Sequence, residues 1–283
     1  MTMERTDRFC SVDGIELHYS EWGAASAPPV VCMHGLSRVG RDFDPIARRL
    51  ADTYRVLCPD LPGRGLSGWD DPTAYTSEAS AARMVGFCDA LGLESIRWIG
   101  TSMGGGLGMA LAGGSLSDRI THLVVNDVSP DPIHDADDQA LARINEYVPQ
   151  PPTVDTVTTL EAYYREIYEP RFSEMTDTEW RRFTITSARR TDDGRITPAY
   201  DPRIIEALET TTGTETDPWA VWDGITADVC IVRGTASGIL PQESFERMTD
   251  HQPTAKTITV DCGHAPALNT DDQIDPIEAF FAQ

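Results

Sequence analysis

The sequence predicts an α/β protein built on a mostly parallel sheet with helices on both faces. Three observations carry this expectation. Short apolar runs alternate with longer amphipathic stretches through the first half of the chain. The runs are continuously apolar, as strands covered on both faces require. The alternation stops near residue 128 and resumes near residue 229, so the sheet is interrupted and then completed.

The expected strands are 15–22 (IELHYSEW), 29–33 (PVVCM), 55–58 (RVLC), 95–99 (SIRWI), 120–126 (ITHLVVN), 229–233 (VCIVR) and 256–261 (KTITVD). Helices are expected at 43–52, 75–91, 103–113, 241–250 and 273–281. Residues 128–217 read differently. They open on SPDPIHD, carry PQPP at 149–152, and show helical stretches at 158–169, 175–189 and 201–210 with no buried strand. This segment is expected to be a helical cap inserted between two strands of a core formed by residues 1–127 and 218–283. Its apolar faces need the sheet to cover them.

Composition narrows the partners. The chain has 283 residues, of which 40% are hydrophobic, enough for a full core. A formal charge of −22 repels phosphate backbones and anionic membranes, so neither nucleic acid nor a membrane is an expected partner. Lys256 is the only lysine, and the carboxylates are spread along the chain. Adaptation to high salt and a plain arginine bias account for that equally well. The first residues, MTMERTDRFCSVDG, lack the apolar stretch of a secretory signal, and no apolar run reaches the roughly 18 residues of a membrane span. A cytoplasmic protein is expected, with a small-molecule substrate and with monomer and homodimer both open. The six cysteines form no C-x-x-C pair and read as free thiols. No His, Cys, Asp or Glu cluster has metal-ligand spacing and no dinucleotide fingerprint appears, so neither metal nor cofactor is expected.

The stretch with most chemical content is IGTSMGGG at 99–106. Gly100-Thr101-Ser102-Met103-Gly104 fits G-x-S-x-G and falls between an expected strand and an expected helix. That is the setting of a nucleophile elbow, a strained turn that lifts a serine hydroxyl above the sheet edge. Small residues at Gly100 and Gly104 leave room for the turn, and Gly105 and Gly106 let the helix approach the sheet. A phosphate loop would need different spacing. The serine needs a base, and His264 in CGHAPAL follows the last strand, at the same sheet edge if the strands are parallel. His18 and His122 lie within strands, and His134 and His251 read as surface residues. Backbone N–H groups of Leu36 and Met103 are placed to hold an oxyanion, and His34 is expected to fasten that loop.

These stretches resemble the α/β-hydrolase superfamily. HGLSR (34–38), PDLPGRGLS (59–67), GTSMGG (100–105), LVVNDVSP (123–130), VRG (232–234) and GHAP (263–266) stand in the order found there. The resemblance implies Ser102 as nucleophile and His264 as base, and it places a helical cap where residues 128–217 lie. One departure matters. Many relatives carry an aspartate after the seventh strand, but residues 233–240 read RGTASGIL and Gly238 stands in its place. The acid expected instead is Asp127, at the end of the preceding strand, where some branches place it. The alternatives are a reaction run by Ser102 and His264 alone, or an altered or lost activity. Asp127 beside Asn126 could also cap the first turn of the insertion.

The expected function is hydrolysis of an ester-type bond in a small apolar molecule through an acyl-enzyme. A C–C bond or lactone hydrolase would use the same serine, and a non-catalytic ligand-binding protein would keep the pocket without the chemistry. A haloalkane dehalogenase is disfavoured, because its nucleophile would be an aspartate at the place of Ser102. Asp60 is expected to fix the DLPGRG turn, and Arg38 to hold its loop to Asp42 or Asp44. Arg38 meeting a substrate carboxylate is the weaker expectation. Tyr163, Tyr164, Tyr168, Phe172, Trp180 and Phe183 give the insertion an aromatic face.

Overall fold

The structure, a computed structural model, describes residues 4–132, 138–169, 172–209 and 217–283. Its sheet strands are β1 (Thr6–Val12), β2 (Ile15–Trp22), β3 (Pro29–Met33), β4 (Arg55–Pro59), β5 (Ile96–Thr101), β6 (Ile120–Asn126), β9 (Asp228–Gly234) and β10 (Lys256–Val260). They lie in the order β1-β2-β4-β3-β5-β6-β9-β10. The first two pairings, β1 with β2 and β2 with β4, are antiparallel, and every later one is parallel.

Alternate residues of one strand feed opposite cores, which is why the runs read as continuously apolar. In β3, Val31 and Met33 join one core, while Val30 and Cys32 join the other. The first core is closed by α2 (Ser77–Ala90), α3 (Met103–Ala112), α8 (Pro218–Asp223) and α9 (Gln242–His251), through Phe87, Leu111, Trp222 and Met248. The second is closed by α1 (Asp44–Leu50) and α10 (Asp271–Phe281), through Ile46, Leu50, Ile277 and Phe281. Since β4 lies on one side of β3 and β5 on the other, the strand order reverses there. A crevice at the carboxyl ends of such strands is the usual ligand position in an open α/β sheet.

Between β6 and β9 the chain forms α4 (Asp138–Tyr147), α5 (Val157–Tyr168), α6 (Asp177–Thr186) and the short α7 (Glu206–Glu209). Three expectations are corrected here. The helix expected at 175–189 ends at Thr186, and a small antiparallel pair follows, β7 (Ala188–Arg190) with β8 (Ile196–Pro198), where no strand was expected. Its strands are three residues long, too short for a periodic signal, and the turn rests on Gly194 at φ +85°. The helix expected at 201–210 is a 3₁₀ turn, Pro202–Ile205, running into α7. The sequence reading also named neither β1 nor α4. The β1–β2 hairpin has an Asp13-Gly14 turn with both residues at positive φ, the mirror-image turn that suits a hairpin. The expectation for His134 lies outside the described residues.

The aromatic face of the insertion is real packing. Tyr164, Tyr168, Trp180 and Phe183 are buried in one cluster, with Tyr163 and Phe172 packed against it. Tyr168 stacks on Phe172 with ring centroids 4.9 Å apart.

Candidate active site

Ser102 sits between β5 and α3 at φ +54° and ψ −119°, outside the regions a side chain ordinarily allows. The surroundings over-determine that strain. A Cβ on Gly100 would meet Gly104 O at 2.0 Å, and one on Gly104 would meet Met33 O at 2.2 Å. Gly105 is also crowded, with Val128 Cγ1 at 2.7 Å, but a Cβ on Gly106 would meet nothing within 4 Å. The expectation that Gly106 serves helix-to-sheet contact is therefore corrected: it faces open space.

The neighbouring strand ends are tied to this elbow. Ser102 N–H donates to Asn126 O at 2.8 Å. The Asn126 amide donates to Thr101 Oγ1 at 2.9 Å and to Pro266 O at 2.9 Å, joining the elbow to the loop that carries His264. Asp127 N–H donates to Val232 O at 2.8 Å. Asp127 is buried and also lies at positive φ, +63°. Its carboxylate divides its work. Oδ1 accepts Gly234 N–H at 2.8 Å, and Oδ2 stands 2.7 Å from His264 Nδ1. With Nδ1 occupied, Nε2 is the ring nitrogen left for a proton from a substrate-side group. The loop after β9, with Gly238, carries no carboxylate, and Glu243 lies in α9.

The loop after β3 passes alongside the elbow. A Cβ placed on Gly35 would stand 3.8 Å from Ser102 Cβ. His34 Nδ1 bonds Gly35 O at 2.7 Å, and Nε2 accepts Leu61 N–H at 3.0 Å. Burial drives the His34 pKa down to about 4, so the ring is neutral and holds the loop. Arg64 is buried and touches both residues expected to donate to the oxyanion. Its Nε donates to Leu36 O at 3.0 Å, and its Nη2 lies 3.9 Å from Met103 Sδ. Burial lowers its pKa to about 10, which still leaves it charged at neutral pH. Asp60 accepts Gly40 N–H at 2.7 Å and Leu66 N–H at 3.0 Å, fixing the turn that carries Arg64. Arg38 grips Asp42 through two bonds of 2.7 and 2.8 Å, while Asp44 pairs with Arg41. Cys262 is held in its thiol form by burial, which pushes its pKa up to about 12.

Asn126 and Arg64 were not legible as site residues. Each sits inside a stretch that carries the family resemblance, but nothing in its spacing announces the contacts it makes. Among the described residues, no group of three or more His, Cys, Asp and Glu could hold a metal ion, and no helix is long and apolar enough to cross a membrane.

Fold and family together define a hydrolase class. A model of the alpha/beta hydrolase family matches residues 30–282, and the chain belongs to that family. It is 34% identical over 274 residues to a 3-hydroxybutyrate-oligomer hydrolase of Cupriavidus necator, covering 93% of this chain and 92% of that one. It is 35% identical over 118 residues to Esterase YbfF of Escherichia coli, a match that covers 41% of this chain and 45% of that one. An alpha/beta hydrolase of Novosphingobium aromaticivorans superposes with a TM-score of 0.88 at 32% identity, over 99% of each chain.

Proposed function

We propose that this hydrolase cleaves ester bonds in small hydroxy-acid substrates through an acyl-enzyme on Ser102. The observation that carries the reading is the 2.7 Å contact between Asp127 Oδ2 and His264 Nδ1, at the sheet edge that bears the strained serine. The name of the Cupriavidus relative supports an ester of this kind.

Ser102 Oγ attacks the ester carbonyl carbon, and His264 Nε2 takes the hydroxyl proton. Asp127 holds the ring in the tautomer that leaves Nε2 free, and it stabilises the imidazolium that forms. The tetrahedral oxyanion is held by the N–H groups of Leu36 and Met103. Collapse expels the alcohol, which takes the proton from His264. A water then attacks the acyl-enzyme, giving up its proton to His264, and the acid leaves as Ser102 is restored. The insertion at 128–217 serves as the cap that shapes the substrate space.

The test is hydrolysis of p-nitrophenyl butyrate and of a linear 3-hydroxybutyrate dimer by wild type and Ser102→Ala. Loss of a triad nucleophile costs on the order of 10⁶ in kcat, so the variant is expected to fall to background. A fluorophosphonate is expected to label Ser102 in the wild type. Turnover that survives in Ser102→Ala overturns the reading.

A further inference from the structure

His264 sits on a loop with few ties of its own. Residues 264–269 lie between β10 and α10, and among the described residues no backbone–backbone hydrogen bond reaches any of them. Side chains from elsewhere hold the loop instead. Asp127 meets His264 Nδ1 at 2.7 Å, and the Asn126 amide donates to Pro266 O at 2.9 Å. Both of these come from the carboxyl end of β6, where Asn126 closes the strand and Asp127 follows it.

A further tie comes from the insertion. Ala267 N–H donates to Ser173 Oγ at 2.7 Å, across 94 positions of sequence. The same hydroxyl donates to Asn269 Oδ1 at 3.4 Å. Asn269 Nδ2 in turn donates to Glu174 O at 3.2 Å and to Glu179 Oε1 at 3.1 Å. Leu268, between the two residues that Ser173 holds, is buried at φ +51°. A leucine keeps that conformation only where its surroundings impose it. Ser173 is itself 5% exposed, and it follows Phe172, which stacks on Tyr168 and meets Phe183 edge-on. The hydroxyl is therefore carried on a packed part of the insertion.

Asp127 fixes one ring nitrogen of His264. The aim of the other, Nε2, depends on where the loop holds the backbone of that residue. We propose that Ser173 is a positioning residue for His264: through Ala267 N–H and Asn269, the insertion holds the loop that aims the base at Ser102. The proposal rests on the reading of Ser102 and His264 as nucleophile and base. The insertion then does more than shape the substrate space, because the base is aligned only while Ser173 is seated on its loop. Misplacing a reacting group by about 1 Å can cost ~10²-fold in rate.

The experiment measures the second-order rate constant for fluorophosphonate labelling of Ser102, together with kcat and KM for p-nitrophenyl acetate and butyrate, in wild type, Ser173→Ala and Asn269→Ala. The labelling constant reports Ser102 activation per competent molecule, so a loss of folded fraction leaves it unchanged. Ser173→Ala is expected to lower it about tenfold or more, to lower kcat for both esters by a similar factor, and to change KM by no more than about twofold. Asn269→Ala keeps the Ala267 bond and is expected to show a smaller loss of the same kind. A labelling constant equal to wild type in Ser173→Ala overturns the proposal, even where Tm falls. Where that variant does not fold, equality in Asn269→Ala overturns it. A raised KM with kcat unchanged, or a loss confined to one ester, also overturns it and makes Ser173 a wall of the substrate space. If wild type itself is not labelled at Ser102, the ester reading fails, and the tie is judged by hydrogen exchange of the amides in 264–269. Exchange about tenfold faster in Ser173→Ala upholds the hold of Ser173 on the loop, and unchanged exchange overturns it.

Discussion

Asp127 Oδ2 lies 2.7 Å from His264 Nδ1, although the two residues are 137 positions apart in the chain. The contact spans three neighbouring strands: Asp127 directly follows β6, its Oδ1 is anchored on Gly234 at the end of β9, and His264 follows β10. Replacing Asp127 by Asn keeps an oxygen for Gly234 N–H but reverses the partner offered to the imidazole. In the serine-protease template that change costs about 10⁴ in kcat. The expected outcome here is a loss of similar order with KM changed by no more than a few-fold, read from steady-state kinetics on a p-nitrophenyl ester. A variant that keeps its activity would place the orienting acid elsewhere.

Arg64 connects the two residues expected to donate to the oxyanion, through Leu36 O and Met103 Sδ. Arg64→Met keeps the length and packing of the side chain but removes its donors. The loop after β3 loses a fixed anchor, and losing one oxyanion donor outright costs about 10²–10³. A fall in kcat of roughly tenfold or more is expected, with little change in KM, and Arg64→Lys should recover part of it. Equal losses in kcat and in thermal stability, with KM raised, would mark a purely structural role.

Neighbouring glycines should respond in opposite ways. A methyl on Gly104 would stand 2.2 Å from a backbone oxygen, so Gly104→Ala is expected to unfold the protein or lower its Tm sharply. Gly106 lies in the same helix with open space at its Cβ. Gly106→Ala should therefore gain up to about 1 kcal/mol from helix propensity. Denaturant melts of both variants check the pair, and a Gly106→Ala variant destabilised like Gly104→Ala would contradict this geometry.

His34 makes stability depend on pH. Its pKa is pushed down to about 4 by burial, against 6.5 for an ordinary histidine. Above pH 6.5 the ring is neutral in both folded and unfolded chains, and its contribution is fully present. As pH falls from 6.5 to 4 the unfolded chain takes up a proton that the folded one refuses, so stability is lost, by about 3 kcal/mol for a shift of this size. In His34→Gln, which keeps an acceptor for Leu61 N–H, the melting temperature should fall less steeply over that window. Parallel pH profiles for the two proteins would remove His34 as the cause.

Much of this was legible along the chain. Ser102, its flanking glycines and His264 stand in local stretches whose chemistry is set by immediate neighbours, and a strand-to-helix turn around a serine needs Gly100 and Gly104 wherever it occurs. Sheet and helices were readable for the same reason: a strand covered on both faces must be continuously apolar. Asp127 was readable only as the best remaining carboxylate, since its role depends on where β6, β9 and β10 lie side by side. Asn126 and Arg64 were hidden, because a side chain's hydrogen-bond partners are set by which backbone oxygens the fold brings near it. The β7–β8 hairpin was missed because three-residue strands carry no period.

The sequence by itself determined the order of the sheet strands from β2 onward, the strained serine turn and the absence of a carboxylate between Gly234 and Glu243. Each follows from residue type and spacing within a few positions. Tertiary structure alone decided that Asp127 faces His264 and that Arg64 touches both Leu36 and Met103. Those relations join residues far apart in the chain, and only the register of parallel strands and the course of the loops that follow them bring their atoms within bonding distance.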